Sequence, residues 1–76
     1  MALNLDRMMY LVIEDHRRGP YFREIDVDQT GLTTVAKDIR DGQYSDVLAV
    51  IEINPVEGIC REVTHDFKAV IDRRAD

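Results

Sequence analysis

The sequence predicts a single α+β domain of 76 residues, with elements in the order ββαβα and a three-stranded sheet packed against two helices. Two apolar runs are typical of strands, and two segments space their apolar residues as helices do. A chain of this length is near the lower limit for burying one core. Hydrophobic residues make up 45% of the chain, which indicates a globular rather than a disordered protein. Residues 1–7 have no clear pattern and are expected to be frayed.

The first two strands are expected to form a hairpin at the sheet edge. Met8 to Ile13 is an apolar run, the first strand, and the Gly19-Pro20 pair marks the turn that follows it. Tyr21 to Asp26 is the second, more polar strand. Its charged residues Arg23 and Glu24 favour an edge position, where charge discourages pairing with other chains.

A short helix is expected after a polar connection, with apolar residues on one face: Leu32, Val35, Ala36 and Ile39. Thr33 or Thr30 is expected to cap its start, and Gly42 stands at the position after its end. We expect no internal repeat in the sequence.

The most apolar segment, VLAVIEI at residues 47–53, predicts a strand covered on both faces over most of its length. It is expected to pair with the first strand. Asn54 and Pro55 end it, and a single helical turn is expected there, broken by Gly58. A longer helix is predicted from Cys60 to Arg73 because apolar residues form one stripe at Val63, Phe67, Val70 and Ile71.

The stretch IEINPVEGICREVTHDF is similar to a pattern in short uncharacterised bacterial proteins, some of them prophage-associated. In those proteins an apolar strand runs into N-P-x-E-G and then into a short stretch of arginine, an acidic residue, valine and threonine. The similarity covers about a third of this chain. That group has no assigned activity, so the resemblance implies none here.

The composition and net charge indicate which kinds of partner the protein can bind and in which compartment we expect it. The net charge of −5 argues against binding to nucleic-acid backbones, which needs a basic surface. One cysteine cannot form an internal disulfide, so the fold needs no oxidising compartment. The N-terminal apolar run is too short for a signal sequence or a membrane span. We therefore expect a cytoplasmic protein that binds neither nucleic acid nor membrane and needs no cofactor.

The loop Asp26-Val27-Asp28-Gln29-Thr30-Gly31 matches the opening of a calcium loop, in which alternate oxygen atoms bind a hard cation. The twelfth position, which should be a glutamate, is Lys37. Asp26, Asp28 and Thr30 are therefore weak candidates for a metal site, and a turn is the expected structure. The same residues resemble the D-x-D-x-T motif of haloacid-dehalogenase-type phosphatases, whose fold needs a parallel sheet larger than 76 residues allow.

The other potentially reactive residues do not have the spacing expected of a catalytic site. Glu62 and His65 have the spacing of a helical metal pair, but the sequence offers no second pair. Cys60 is expected to be a small buried or capping residue on the apolar helix face. Arg17 and Arg18 form a basic spot at the hairpin turn and are weak candidates for anion binding.

A functional hypothesis comes from the two faces of the predicted sheet. One face is expected to form the core with the helices, and its residues are Met9, Leu11, Ile13, Val47, Ala49, Ile51 and Ile53. The other would expose Tyr10, Val12, Leu48 and Val50, and such an apolar patch usually marks an interface. We therefore expect a small non-catalytic protein-interaction module that binds a second copy or another protein. The alternatives are an acidic regulatory protein that binds a basic surface, as some phage products do, and a metal-binding module.

Overall fold

The computed structural model describes residues 3–23 and 25–74, without the side chains of residues 73 and 74. Four strands form one sheet: β1 (Met9–His16), β2 (Gly19–Phe22), β3 (Val47–Asn54) and β4 (Ile59–Glu62). The helices are α1 (Leu32–Arg40) and α2 (Lys68–Arg74), each preceded by a short 3-10 turn, at Val27–Gln29 and Thr64–Phe67. The α+β class is confirmed, but the described sheet has four strands rather than three.

The strands are all antiparallel, in the order β2-β1-β3-β4. The predicted pairing of β1 with β3 is confirmed, with Val12 opposite Val50. The predicted hairpin of β1 and β2 is also confirmed, and β2 lies at the edge. It begins earlier than predicted, because the turn has only two residues, Arg17 and Arg18. It ends at Phe22 rather than at Asp26. Gly19 takes a φ of 119°, which other residues rarely adopt.

The prediction of a helix from Cys60 is wrong, because residues 59–62 form β4 beside β3. The side-chain oxygen of Asn54 accepts hydrogen bonds of 3.0 Å from the backbone N–H groups of Val56 and Glu57. Gly58 then takes a φ of 69°. The N-P-x-E-G segment is thus a hairpin turn of four residues rather than a helix start. Only the later part of the apolar stripe, from Phe67 onwards, lies in helical turns.

Helix α1 lies where the apolar spacing predicts it. Val35 and Ile39 are fully buried, whereas Leu32 is 54% exposed. The residue before the helix is Gly31, and no side chain caps it, so the predicted threonine caps are wrong. Gly42 follows the helix with a φ of 82°, as its predicted role requires.

The core lies on the opposite sheet face from the one predicted. Both helical segments pack on the side of β1 and β3 that carries polar residues, and the buried cluster consists of Tyr10, Val12, Val35, Ile39, Tyr44, Val50 and Phe67. Glu14 and Glu52 lie on the same side and are buried too. Buried carboxylates are tolerated where they are paired, so polar residues in a strand do not exclude a core face.

A β-bulge explains why Leu48 leaves the core although Val50 is buried. Ile13 pairs with Ala49, but Glu14 pairs with Val47, so Leu48 is an extra residue in β3. Val47 packs against the core, and Leu48 is 47% exposed.

The chain contains two similar halves, contrary to the expectation of no repeat. Each half has a strand of eight residues, a strand of four residues, a 3-10 turn and an α-helix. The pattern V-I-E-x8-R-E begins at Val12 and again at Val50, 38 positions later. The antiparallel pairing of Val12 with Val50 relates β1 to β3 by a local two-fold axis. The two short strands accordingly lie at opposite edges of the sheet.

Candidate functional site

The repeated pattern places one ion pair in each half of the molecule. Arg23 Nη2 lies 2.8 Å from Glu14 Oε2, and Arg61 Nε lies 2.6 Å from Glu52 Oε1. In both halves the arginine follows its glutamate by nine residues. We call these pairs the first and second clamp. The first clamp joins β1 to the residue that follows β2, and the second joins β3 to β4.

The first clamp joins β1 to two loops. Glu14 Oε2 also accepts a hydrogen bond of 2.6 Å from the backbone N–H of Ser45, and Arg23 donates to the carbonyl oxygen of Gln43. The Arg23 guanidinium lies 5.1 Å from the centroid of the Tyr44 ring. Glu14 Oε1 is buried and has no hydrogen-bond partner among the described residues.

The second clamp is completed by a tyrosine. The Tyr10 hydroxyl donates a hydrogen bond of 2.8 Å to Glu52 Oε2, so both oxygens of Glu52 have partners. Desolvation, followed by the bond to Glu52, raises the pKa of Tyr10 to about 12. The hydrogen bond from Tyr10, followed by that from Arg61, lowers the pKa of Glu52. Because the Tyr10 hydroxyl and both Glu52 oxygens form hydrogen bonds within the fold, the second clamp has the geometry of a structural contact.

The predicted interaction patch is not an exposed surface. Tyr10, Val12 and Val50 are 7% exposed or less and form the core with the helices, while Leu48 lies in the bulge. The face that was expected to be the core is the one that no described helix covers. By register it carries these residues, which we call the open face: Met9, Leu11, Ile13, Phe22, Ala49, Ile51, Ile53 and Cys60.

The open face is apolar at its centre and acidic at its margins. Leu11, Ile13 and Ile51 are half-buried by their neighbours in the sheet. Phe22 is 59% exposed at the β2 edge. The charged residues in register with this face are Asp15, near the end of β1, and Glu62, on β4. Cys60 is exposed here, so its predicted burial in a helix is wrong.

The hairpin turn places Arg17 and Arg18 side by side in solvent. The His16 and Tyr21 rings beside this turn pack edge to face, with centroids 5.3 Å apart. The other six lysine and arginine side chains that the structure describes each contact a carboxylate or a carbonyl oxygen. Arg17 and Arg18 have no such contact within residues 3–23 and 25–72.

The Asp26–Thr30 segment forms a 3-10 turn. The Thr30 hydroxyl donates to the Val27 carbonyl at 2.5 Å, and the Thr30 carbonyl accepts from the Tyr10 N–H at 2.8 Å. Asp26 and Asp28 are exposed and their side chains do not cap the turn. Across the described part of the chain, no three histidine, cysteine or acidic side chains are grouped as metal ligands.

An open groove of about 390 Å³ runs between α1 and α2, lined by Leu32, Thr33, Ala36, Lys37, Arg40 and Val70. Lys37 and Arg40 both pair with Asp41, at 2.9 and 3.3 Å.

No described helix has the length and apolar character needed to cross a bilayer. Comparisons with protein-family models, with curated proteins and with solved structures find no match to this chain.

Proposed function

We propose that this chain is a small protein-interaction module that associates with a second copy of itself through the open face. The observation that supports this is the placement of α1, α2 and the Thr64–Phe67 turn on one side of the sheet. The other side carries apolar side chains from all four strands. Met9 is buried, and the remaining residues of the open face are partly or fully exposed. An uncovered apolar face of this kind usually marks an interface in a small protein.

The dimensions of the face favour a second sheet over a single helix as its partner. Four strands spaced by about 4.8 Å make a sheet about 19 Å wide, and eight residues extend about 26 Å. A helix is only about 10 Å across and would leave two strands uncovered. A second copy, stacked about 10 Å away, would cover all four strands of each sheet.

The same dimensions predict a weak dimer. The short outer strands limit the flat area to roughly 400 Å² per copy, against about 800 Å² of accessible surface per partner in a stable interface. We therefore expect a dissociation constant in the micromolar range or above. Asp15 and Glu62 lie at the margins of the face, where their carboxylates stay in contact with water when the centres of two faces meet.

The test is sedimentation equilibrium over a concentration series, using two matched variants. Phe22→Asp places a charge on the open face, at a side chain that is already 59% exposed, so it should leave the monomer fold intact. Leu32→Asp makes a comparable change at a 54% exposed side chain on α1. We expect the average mass of the wild type and of Leu32→Asp to rise towards that of a dimer, and Phe22→Asp to stay monomeric.

Two results would contradict the proposal. One is a wild type that remains monomeric at every concentration, which would favour the alternative expected from the net charge of −5, binding to a basic partner. The other is a dimer that both variants weaken equally. Thermal unfolding of all three proteins is the control, because a variant that has lost its fold gives no information on the interface.

A further inference from the structure

The β1–β2 turn has features of a second docking element, separate from the open face. We call His16, Arg17, Arg18 and Tyr21 the hairpin tip. The turn is closed by the pairing of His16 with Gly19, and all four side chains of the tip are exposed. Tyr21 pairs with Glu14, so it lies on the opposite side of the sheet from Phe22 and Ile13.

Arg17 and Arg18 have no carboxylate or carbonyl partner among the described residues, unlike the other lysine and arginine side chains that the structure describes. The exposed helix lysines, Lys37 and Lys68, each form an ion pair of 2.9 Å with an aspartate four residues later. Arg17 and Arg18 are adjacent in sequence and have no ion pair or hydrogen bond from their side chains to the described residues. An arginine without an intramolecular partner can give all its donors to an acidic partner.

The hairpin tip also contains two aromatic rings that pack against each other. The His16 and Tyr21 rings meet at 71°, and the Arg18 N–H donates to His16 Nδ1 at 3.4 Å. These contacts link β1 to β2 next to the turn. Tyrosine and arginine are also the residues that most often dominate binding energy at protein interfaces, because they combine a large contact area with directed hydrogen bonds.

We propose that the hairpin tip inserts into an acidic cleft on another protein. The tip is convex, so it cannot enclose a small anion, but it can enter a concave surface. The groove that the described residues form between α1 and α2 is lined by Lys37 and Arg40, so it does not offer an acidic cleft to a second copy. A nucleic-acid backbone is also disfavoured, because the whole chain carries a net charge of −5.

The test uses the full chain, labelled with ¹⁵N, and titrates it with a glutamate hexapeptide, a lysine hexapeptide and a short oligothymidylate in separate experiments. We expect the glutamate peptide to shift the amide signals of residues 15–19, 21 and 22, and to bind more weakly as salt is raised from about 50 to about 200 mM. Arg17→Glu/Arg18→Glu should weaken this binding at least about tenfold.

The matched control is Lys37→Glu/Lys68→Glu, which makes the same change in net charge at two exposed helix positions. It should keep the affinity for the glutamate peptide within about twofold. Equal losses in the two double variants would overturn the proposal, because they would show an effect of net charge alone. So would tighter binding of oligothymidylate at the same amides, which would assign the tip to nucleic acid. Neither result depends on whether the open face dimerises.

Discussion

Tyr10 and Glu52 face each other across the centre of the sheet, and the Tyr10 hydroxyl donates a hydrogen bond of 2.8 Å to the Glu52 carboxylate. The same tyrosine ring packs against Phe67, with centroids 5.5 Å apart. One side chain therefore connects the second clamp to the 3-10 turn that precedes α2. Loss of its hydroxyl group should affect the carboxylate without opening a cavity in the core.

Tyr10→Phe should lower the free energy of unfolding by about 1 kcal/mol, the typical net contribution of one hydrogen bond. It should also reduce the acid sensitivity of the fold. The pKa of Glu52 is lowered in the folded state, so its stabilising effect is complete above its unfolded pKa of about 4.3 and is lost as pH falls through the lower folded value. Urea unfolding at a series of pH values measures both effects. A variant with wild-type acid sensitivity would show that Tyr10 does not set the pKa of Glu52.

The stability of the fold at high pH should also depend on Tyr10. Because the pKa of Tyr10 is raised to about 12, the folded state keeps this hydroxyl protonated while the unfolded state ionises near its ordinary value of 10.0. The associated stability is complete below pH 10.0 and is lost as pH rises towards 12. The difference in tyrosinate absorbance between the wild type and Tyr10→Phe should rise with pH and have its midpoint near pH 12. A midpoint near 10 would mean that the hydroxyl is open to solvent.

The two clamps should differ in their sensitivity to loss of the arginine. Arg23→Ala leaves Glu14 fully buried without its cation, and should cost about 2 kcal/mol after allowance for the partial exposure of Arg23. Arg61→Ala is the matched change in the other half. It should cost less, because the Arg61 side chain is 65% exposed and Glu52 keeps its bond from Tyr10. Denaturant unfolding of both variants gives the comparison, and equal losses would contradict it.

The sequence predicted the long strands and α1 because their apolar residues recur at the spacing of each element. It did not predict which sheet face is buried. The face with Leu11, Ile13 and Ile51 has more apolar residues, but Glu14 and Glu52 mark the face that the helices cover. Their burial depends on Arg23 and Arg61, which lie in other strands or loops, and a reading of single strands does not include such partners.

The fourth strand was missed for a similar reason. Cys60 fits the apolar stripe of a helix, and only the hydrogen bonds of Asn54 to the turn show that residues 55–58 reverse the chain. The recurrence of V-I-E-x8-R-E at Val12 and Val50 was a readable signal. Moving β2 by 38 positions would have predicted a strand at residues 57–60, which overlaps β4. It would also have paired Glu52 with Arg61.

Because the two halves have the same order of elements, the seam where β1 pairs with β3 resembles a boundary between two subunits. One ββα half lies on each side of this seam, and residues 41–46 join the two halves. In such a molecule the covalent link mainly raises the effective concentration of one half around the other. Cleavage within residues 41–46 would thus turn folding into a bimolecular reaction, with β1 and β3 as the recognition elements of a split protein.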